Sequence, residues 1–121
     1  MARILVMDDS AFMRTLLRGA LEAAGHEVED FLPMSALEVL KKTKEWKPDL
    51  VLTDYHMPLI KGDEVARMAQ RGCPDARILV LTATRDPDVE ARLRRSGASL
   101  VLYKPMAAPE VLRHAEELLA Q

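Results

Sequence analysis

Short, nearly continuous apolar runs alternate along this chain with longer stretches in which apolar residues recur every three or four positions. The runs are Ile4-Leu5-Val6-Met7, Leu50-Val51-Leu52, Ile78-Leu79-Val80-Leu81 and Leu100-Val101-Leu102-Tyr103. Their length and unbroken hydrophobicity suit strands covered on both faces, as in a parallel sheet. His26 to Phe31 is more mixed, with Val28 and Phe31 among acids, and suits an edge strand. The stretches between read as helices. Ser10 is placed to cap a first one, with Phe12, Met13, Leu16, Leu17 and Leu21 as its apolar stripe and Gly25 as its stop. Leu37, Val39 and Leu40 mark a second, from about Ser35 to Trp46, and Val65, Ala66, Met68 and Ala69 a shorter third. Asp86-Pro87 opens a fourth, an acidic cap followed by proline at the first helical position, and Gly97 closes it. Pro109-Glu110 opens the fifth, striped by Val111, Leu112, Ala115, Leu118 and Leu119.

Five strands alternating with five helices predict an α/β fold, an open parallel sheet with helices on both faces. Right-handed crossovers leave few topologies, of which the flavodoxin-like order 2-1-3-4-5 is favoured. The whole chain, residues 1–121, is expected to form a single domain. In this order ligands sit beyond the carboxyl ends of the strands, where strands 1 and 3 are neighbours.

Composition narrows the function classes. Hydrophobic residues are 49% and charged residues 30% of the chain, a globular balance, and the net charge of −2 offers no basic footprint for direct nucleic-acid binding. Arg92, Arg94 and Arg95 read as a solvated helix face, and His26 and His114 as surface residues. The single cysteine, Cys73, rules out an intramolecular disulfide and fits a reducing compartment. No apolar run approaches the roughly 18 residues that span a bilayer. A cytoplasmic protein is expected.

The chemistry lies at the strand ends. Strand 1 runs into Asp8-Asp9, strand 3 into Asp54, strand 4 into Thr82 and strand 5 into Lys104, so the topology gathers three acids, a hydroxyl and an amine on one rim. Three carboxylates in one cleft repel, so a proton or a cation must neutralise them. A hard divalent ion with oxygen ligands meets that need, and Mg²⁺ keeps open positions for a phosphate. A carboxylate there can attack phosphorus, while an amine and a hydroxyl can meet the charge on the transferred oxygens.

These residues fall into an ordered set of motifs. Val6-Met7-Asp8-Asp9-Ser10 with Met13-Arg14, Asp54-Tyr55-His56-Met57-Pro58 followed by Gly62, Leu81-Thr82-Ala83, Ser96-Gly97-Ala98, and Lys104-Pro105 together resemble the response-regulator receiver of two-component signalling, over essentially the whole chain. The resemblance implies a phosphoryl-accepting switch that is not an enzyme acting on a separate substrate. Asp54 would be the phosphoacceptor. Asp54 and Asp9 would bind Mg²⁺ directly, Asp8 would act mainly through a metal-bound water, and the backbone carbonyl of His56 would complete the protein ligands. Thr82 and Lys104 would each meet a phosphoryl oxygen, and the Lys104-Pro105 bond would be cis. The implied partners are a histidine kinase or phosphotransfer protein as donor and a target protein as reader. No output domain follows the fifth helix, so signalling is expected to run through the receiver's own surface.

Departures from the family pattern matter too. Its usual switch aromatic falls at Val101, and the aromatic here is Tyr103 instead. The position after Lys104-Pro105, commonly Phe, is Met106. His56 and Thr84 occupy variable positions that tune phosphoryl lifetime in the family. An aspartyl-phosphate phosphatase or mutase also joins a carboxylate nucleophile to Mg²⁺, but it places that nucleophile on the first strand and usually carries a cap domain. A flavin-binding reading lacks a Ser/Thr-rich loop after strand 1. A plain protein-binding module of the same fold would have no need of an intact acid cluster.

Overall fold

The computed structural model describes residues 1–121 and turns the apolar runs into strands β1 (Arg3–Met7), β2 (Glu27–Phe31), β3 (Leu50–Asp54), β4 (Arg77–Thr82) and β5 (Leu100–Tyr103). The intervening stretches form α1 (Ala11–Ala23), α2 (Ala36–Trp46), α3 (Gly62–Gly72), α4 (Pro87–Arg95) and α5 (Ala108–Leu119). The sheet is parallel throughout, in the order β2-β1-β3-β4-β5. Alternate residues of each strand feed two separate cores. Ile4, Val6, Leu50 and Leu52 pack with Leu17 and Leu21 of α1 and Val111, Ala115 and Leu118 of α5. Leu5, Met7 and Val51 pack with Val39 of α2, Val65 and Ala69 of α3 and Leu93 of α4 on the other face.

The helix ends follow the capping residues. Ser10 Oγ accepts from Met13 N at 3.2 Å, Ser35 Oγ from Glu38 N at 3.2 Å, and Asp86 Oδ1 from Asp88 N at 2.9 Å. Gly97, past the end of α4, has φ +116°, a conformation that side chains rarely adopt.

Two expectations are corrected. Phe12 and Leu16 of α1 and Leu37 of α2 are not in the core; they are 71%, 43% and 62% exposed. On α1 the row Leu17–Leu21, with Met13 half-buried, meets the sheet, which leaves the adjacent row Phe12–Leu16 on the flank. His26 is no surface residue either, its side chain being 9% exposed. Its ring spans the starts of β1 and β2 and the end of α5: Nδ1 accepts from Ala2 N at 3.2 Å and Nε2 lies 3.1 Å from Glu116 Oε2.

Candidate functional site

Parallel strands all point their carboxyl ends the same way, so the residues at or just past the ends of β1, β3, β4 and β5 share one rim of the sheet. β1 is paired with β3 from Ile4–Leu50 to Met7–Thr53, which sets Asp8 beside Asp54. The carboxylates of Asp8, Asp9 and Asp54 each offer an oxygen, and the three lie within 4.8 Å of one another. Lys104 Nζ stands 3.1 Å from Asp54 Oδ1 and 3.8 Å from Asp8 Oδ2. The backbone joins the amine to the hydroxyl, since Lys104 N donates to the Thr82 carbonyl at 2.8 Å. The Lys104-Pro105 peptide bond is cis.

The three acids differ in surroundings. Asp8 is 1% and Asp54 4% exposed, whereas Asp9 faces solvent. Burial raises the Asp8 carboxyl above the usual carboxylate range, against the lowering effects of the Ser10 N–H and Lys104. Burial likewise raises Asp54, with Lys104 opposing and its acidic neighbours adding to the rise. Asp8 Oδ1 accepts from Ser10 N at 2.9 Å, but its buried Oδ2 has no hydrogen bond, because Lys104 at 3.8 Å is out of reach. A buried, unpartnered carboxylate oxygen beside two further carboxylates is a donor set of hard oxygen ligands, and it fits a divalent cation such as Mg²⁺.

Thr82 is buried, and its Oγ1 accepts from Thr84 N at 3.1 Å. That bond uses a lone pair and leaves the hydroxyl proton free for another acceptor. Thr84 in turn accepts from Asp86 N through Oγ1 at 3.3 Å, so its side chain caps the approach to α4. His56 is exposed, its ring set edge-on to Tyr55 with centroids 4.8 Å apart. The recorded partners of the His56 and Thr84 side chains are therefore loop neighbours and not the acids. Gly62 lies against the end of β3: a Cβ on it would stand 2.8 Å from Tyr55 Cα and 3.2 Å from the Asp54 carbonyl. Val101 is buried in the core under α3 and α4, and Tyr103 packs against that same core two residues on.

Several tying residues carry no role in the sequence motifs. Arg14 Nη1 donates to the Asp8 carbonyl at 2.5 Å. Arg92 Nη2 donates to Tyr55 Oη at 3.0 Å, and Arg92 pairs with Asp63 of α3 at 3.3 Å. The Tyr103 hydroxyl donates to Glu90 of α4, and the Arg85 guanidinium lies 4.7 Å from the Tyr103 ring centroid. Arg14 stands within the first motif, but nothing in one sequence reveals that its target is a carbonyl.

Comparison with known proteins agrees with this fold. The family described as the response regulator receiver domain matches residues 4–116. The chemotaxis protein CheY of Thermotoga maritima is 32% identical over 110 residues, covering 91% of each chain. The response regulator MprA of a Mycobacterium species is 37% identical over 117 residues, which is 97% of this chain and 50% of that protein. Among solved structures, a CheY-like receiver domain protein from Methanospirillum hungatei superimposes with a TM-score of 0.89 at 26% identity, covering 99% of this chain and 94% of that one. The chain belongs to the response regulator receiver domain family, the signal-receiving component of two-component systems.

Proposed function

We propose that residues 1–121 act as one receiver domain whose Asp54 accepts a phosphoryl group in a Mg²⁺-dependent transfer. The observation that carries this reading is the trio of carboxylates within 4.8 Å of one another, one buried oxygen unpartnered, with a lysine 3.1 Å from Asp54. Asp9 and Asp54 would hold the cation directly with the carbonyl of His56, and Asp8 would hold it mainly through water. When bound, the cation neutralises the carboxylates and the incoming phosphoryl oxygens.

A carboxylate oxygen of Asp54 attacks phosphorus as the bond from phosphorus to the donor breaks, and the donor group leaves with that electron pair. The donor is a phosphohistidine of a kinase or phosphotransfer protein, or a small acyl phosphate. Lys104 begins paired with the Asp54 carboxylate and follows the charge onto a phosphoryl oxygen, its partly exposed side chain leaving it free to move. Thr82 donates its spare hydroxyl proton to another. His56 and Thr84 border the path of water to the phosphoryl group and so set its lifetime. Val101, buried beneath α4, and Tyr103 beside it would relay the change to α4, whose surface a target protein reads. The domain takes part in its own phosphorylation and dephosphorylation without acting on a separate substrate. Its compartment in this reading is the cytoplasm, in keeping with the unpaired Cys73.

Intact-mass spectrometry after incubation with acetyl phosphate and Mg²⁺ tests the assignment. One alkali-labile phosphoryl group is expected on the wild type, and none on Asp54→Asn or with the metal chelated. Equal labelling of Asp54→Asn moves the acceptor elsewhere. No labelling of the wild type by any donor favours a plain protein-binding module.

A further inference from the structure

The exposed acid of the trio, Asp9, has neither a backbone donor nor a cationic side chain to aim it, so its direction depends on the backbone between β1 and α1. That backbone is pinned at the two peptides that flank Asp9, one by the Asp8 side chain and the other by a guanidinium. The Asp8 side chain accepts from Ser10 N at 2.9 Å, and the Asp8 carbonyl, which belongs to the Asp8–Asp9 peptide, accepts from Arg14 Nη1 at 2.5 Å. The guanidinium is itself fixed: Arg14 Nε donates to Asp30 Oδ2 of β2 at 3.1 Å, and the other oxygen of Asp30 takes Arg18 Nη1 at 2.7 Å. Arg14 and Asp30 side chains are 19% and 21% exposed, so the pair is largely shielded from competing water.

We infer that Arg14 is a positioning residue for the cation site: it clamps the Asp8–Asp9 peptide and thereby sets where the Asp9 carboxylate stands, with Asp30 holding the clamp. This rests on the metal-binding reading above. Two features favour a clamp over a simple charge. The positive charge of Arg14 is already met by Asp30, so little of it is left to act on the acid cluster at a distance. The planar fork of arginine also serves a carbonyl and a carboxylate through separate nitrogens in one fixed geometry, which the single nitrogen of lysine cannot reproduce. Residues that orient a metal ligand in this way typically change metal affinity about 10–100-fold when removed.

The test is calorimetric titration of MgCl₂ into the folded full chain, with circular dichroism to show that each variant is folded. Arg14→Lys is expected to weaken Mg²⁺ binding about tenfold, and Asp30→Asn to weaken it in the same direction by less. Asp30→Asn also carries the test if an Arg14 variant does not fold. Wild-type affinity in Arg14→Lys would mean that the charge suffices and would overturn the clamp, as would a change in melting temperature alone with affinity unmoved in both variants. Absence of saturable Mg²⁺ binding to the wild type overturns the metal reading and this inference with it, whereas saturable wild-type binding with unaltered variants overturns only the inference.

Discussion

Asp8 and Asp54 are acids placed almost out of contact with water, and burial is the first cause of the raised proton affinity of both. A carboxyl whose affinity for a proton is higher in the folded than in the unfolded chain favours the fold in acid. That stabilisation is present below the ordinary carboxyl range and is lost as pH rises through the raised folded value. At neutral pH and without metal, the two charges therefore oppose folding. Asp54→Asn or Asp8→Asn is expected to stabilise the metal-free protein by about 1–2 kcal/mol near neutral pH, with a smaller gain in mild acid. Mg²⁺ should raise the melting temperature of the wild type more than that of either variant. Differential scanning calorimetry in EDTA and in MgCl₂ reads all three comparisons. A lower melting temperature for Asp54→Asn in EDTA at neutral pH would show that its ion pair with Lys104 outweighs the cost of burial.

Among the elements, α2 and α3 approach closely where Gly72 meets Thr43. A Cβ on Gly72 would stand 1.9 Å from Thr43 Oγ1 and 2.9 Å from the Leu40 carbonyl. Thr43 is fully buried, and its hydroxyl donates to the Val39 carbonyl at 2.9 Å, so it cannot swing away without leaving a polar group unpaired. Gly72→Ala is expected to cost about 1–3 kcal/mol by overpacking, seen as a lower urea midpoint with an unchanged slope. Adding Thr43→Ala should recover only part of the loss, since the Leu40 carbonyl is backbone and stays in place. Full recovery would show that the hydroxyl was the sole obstacle. α4 is the contrasting case, because it buries only Leu93 fully and Val89 in part, and its other holds on the domain are polar ties from Glu90 and Arg92.

At the scale of the molecule, that loosely held helix lies over the strand ends that carry the site. Tyr55 follows Asp54 directly and reaches α4 through Arg92; Tyr103 precedes Lys104 and reaches α4 through Glu90. Val101 stands at the position of the usual switch aromatic, and its short branched side chain has little room to change rotamer. Phosphorylation adds about −1.5 to −2 of charge, enough to draw Lys104 and Thr82 toward new oxygens and to disturb both strand ends. A ligand shifts such an equilibrium only by its differential affinity for the two states. Removal of the hydroxyl tie in Tyr103→Phe is expected to shift the amide resonances of α4 in the unphosphorylated protein toward their phosphorylated positions. It should leave Mg²⁺ binding unchanged. If α4 resonances match the wild type in both states, Tyr103 is a packing residue and the switch runs elsewhere.

Much of this protein was legible in its residues. Unbroken apolar runs need cover on both faces, so they specified buried parallel strands; Ser10, Ser35 and Asp86-Pro87 marked helix starts; and connection rules left few strand orders, of which the observed one was favoured. Because that order brings the strand ends together, Asp8, Asp9, Asp54, Thr82 and Lys104 could be assembled on one rim before any distance was known. Only the tertiary structure separated neighbours that look alike in sequence. Asp8 is buried while Asp9 faces water, since their side chains leave the chain in different directions just past the strand. Leu17 is buried while Leu16 lies on the flank, because periodicity shows that a helix has an apolar arc but not which part of that arc the sheet will cover. His26 is enclosed because α5, ninety residues along the chain, places Glu116 against its ring. The hold of Arg14 on the Asp8 carbonyl was equally invisible, for a backbone acceptor is the same atom at every position and only folding decides which one a guanidinium reaches.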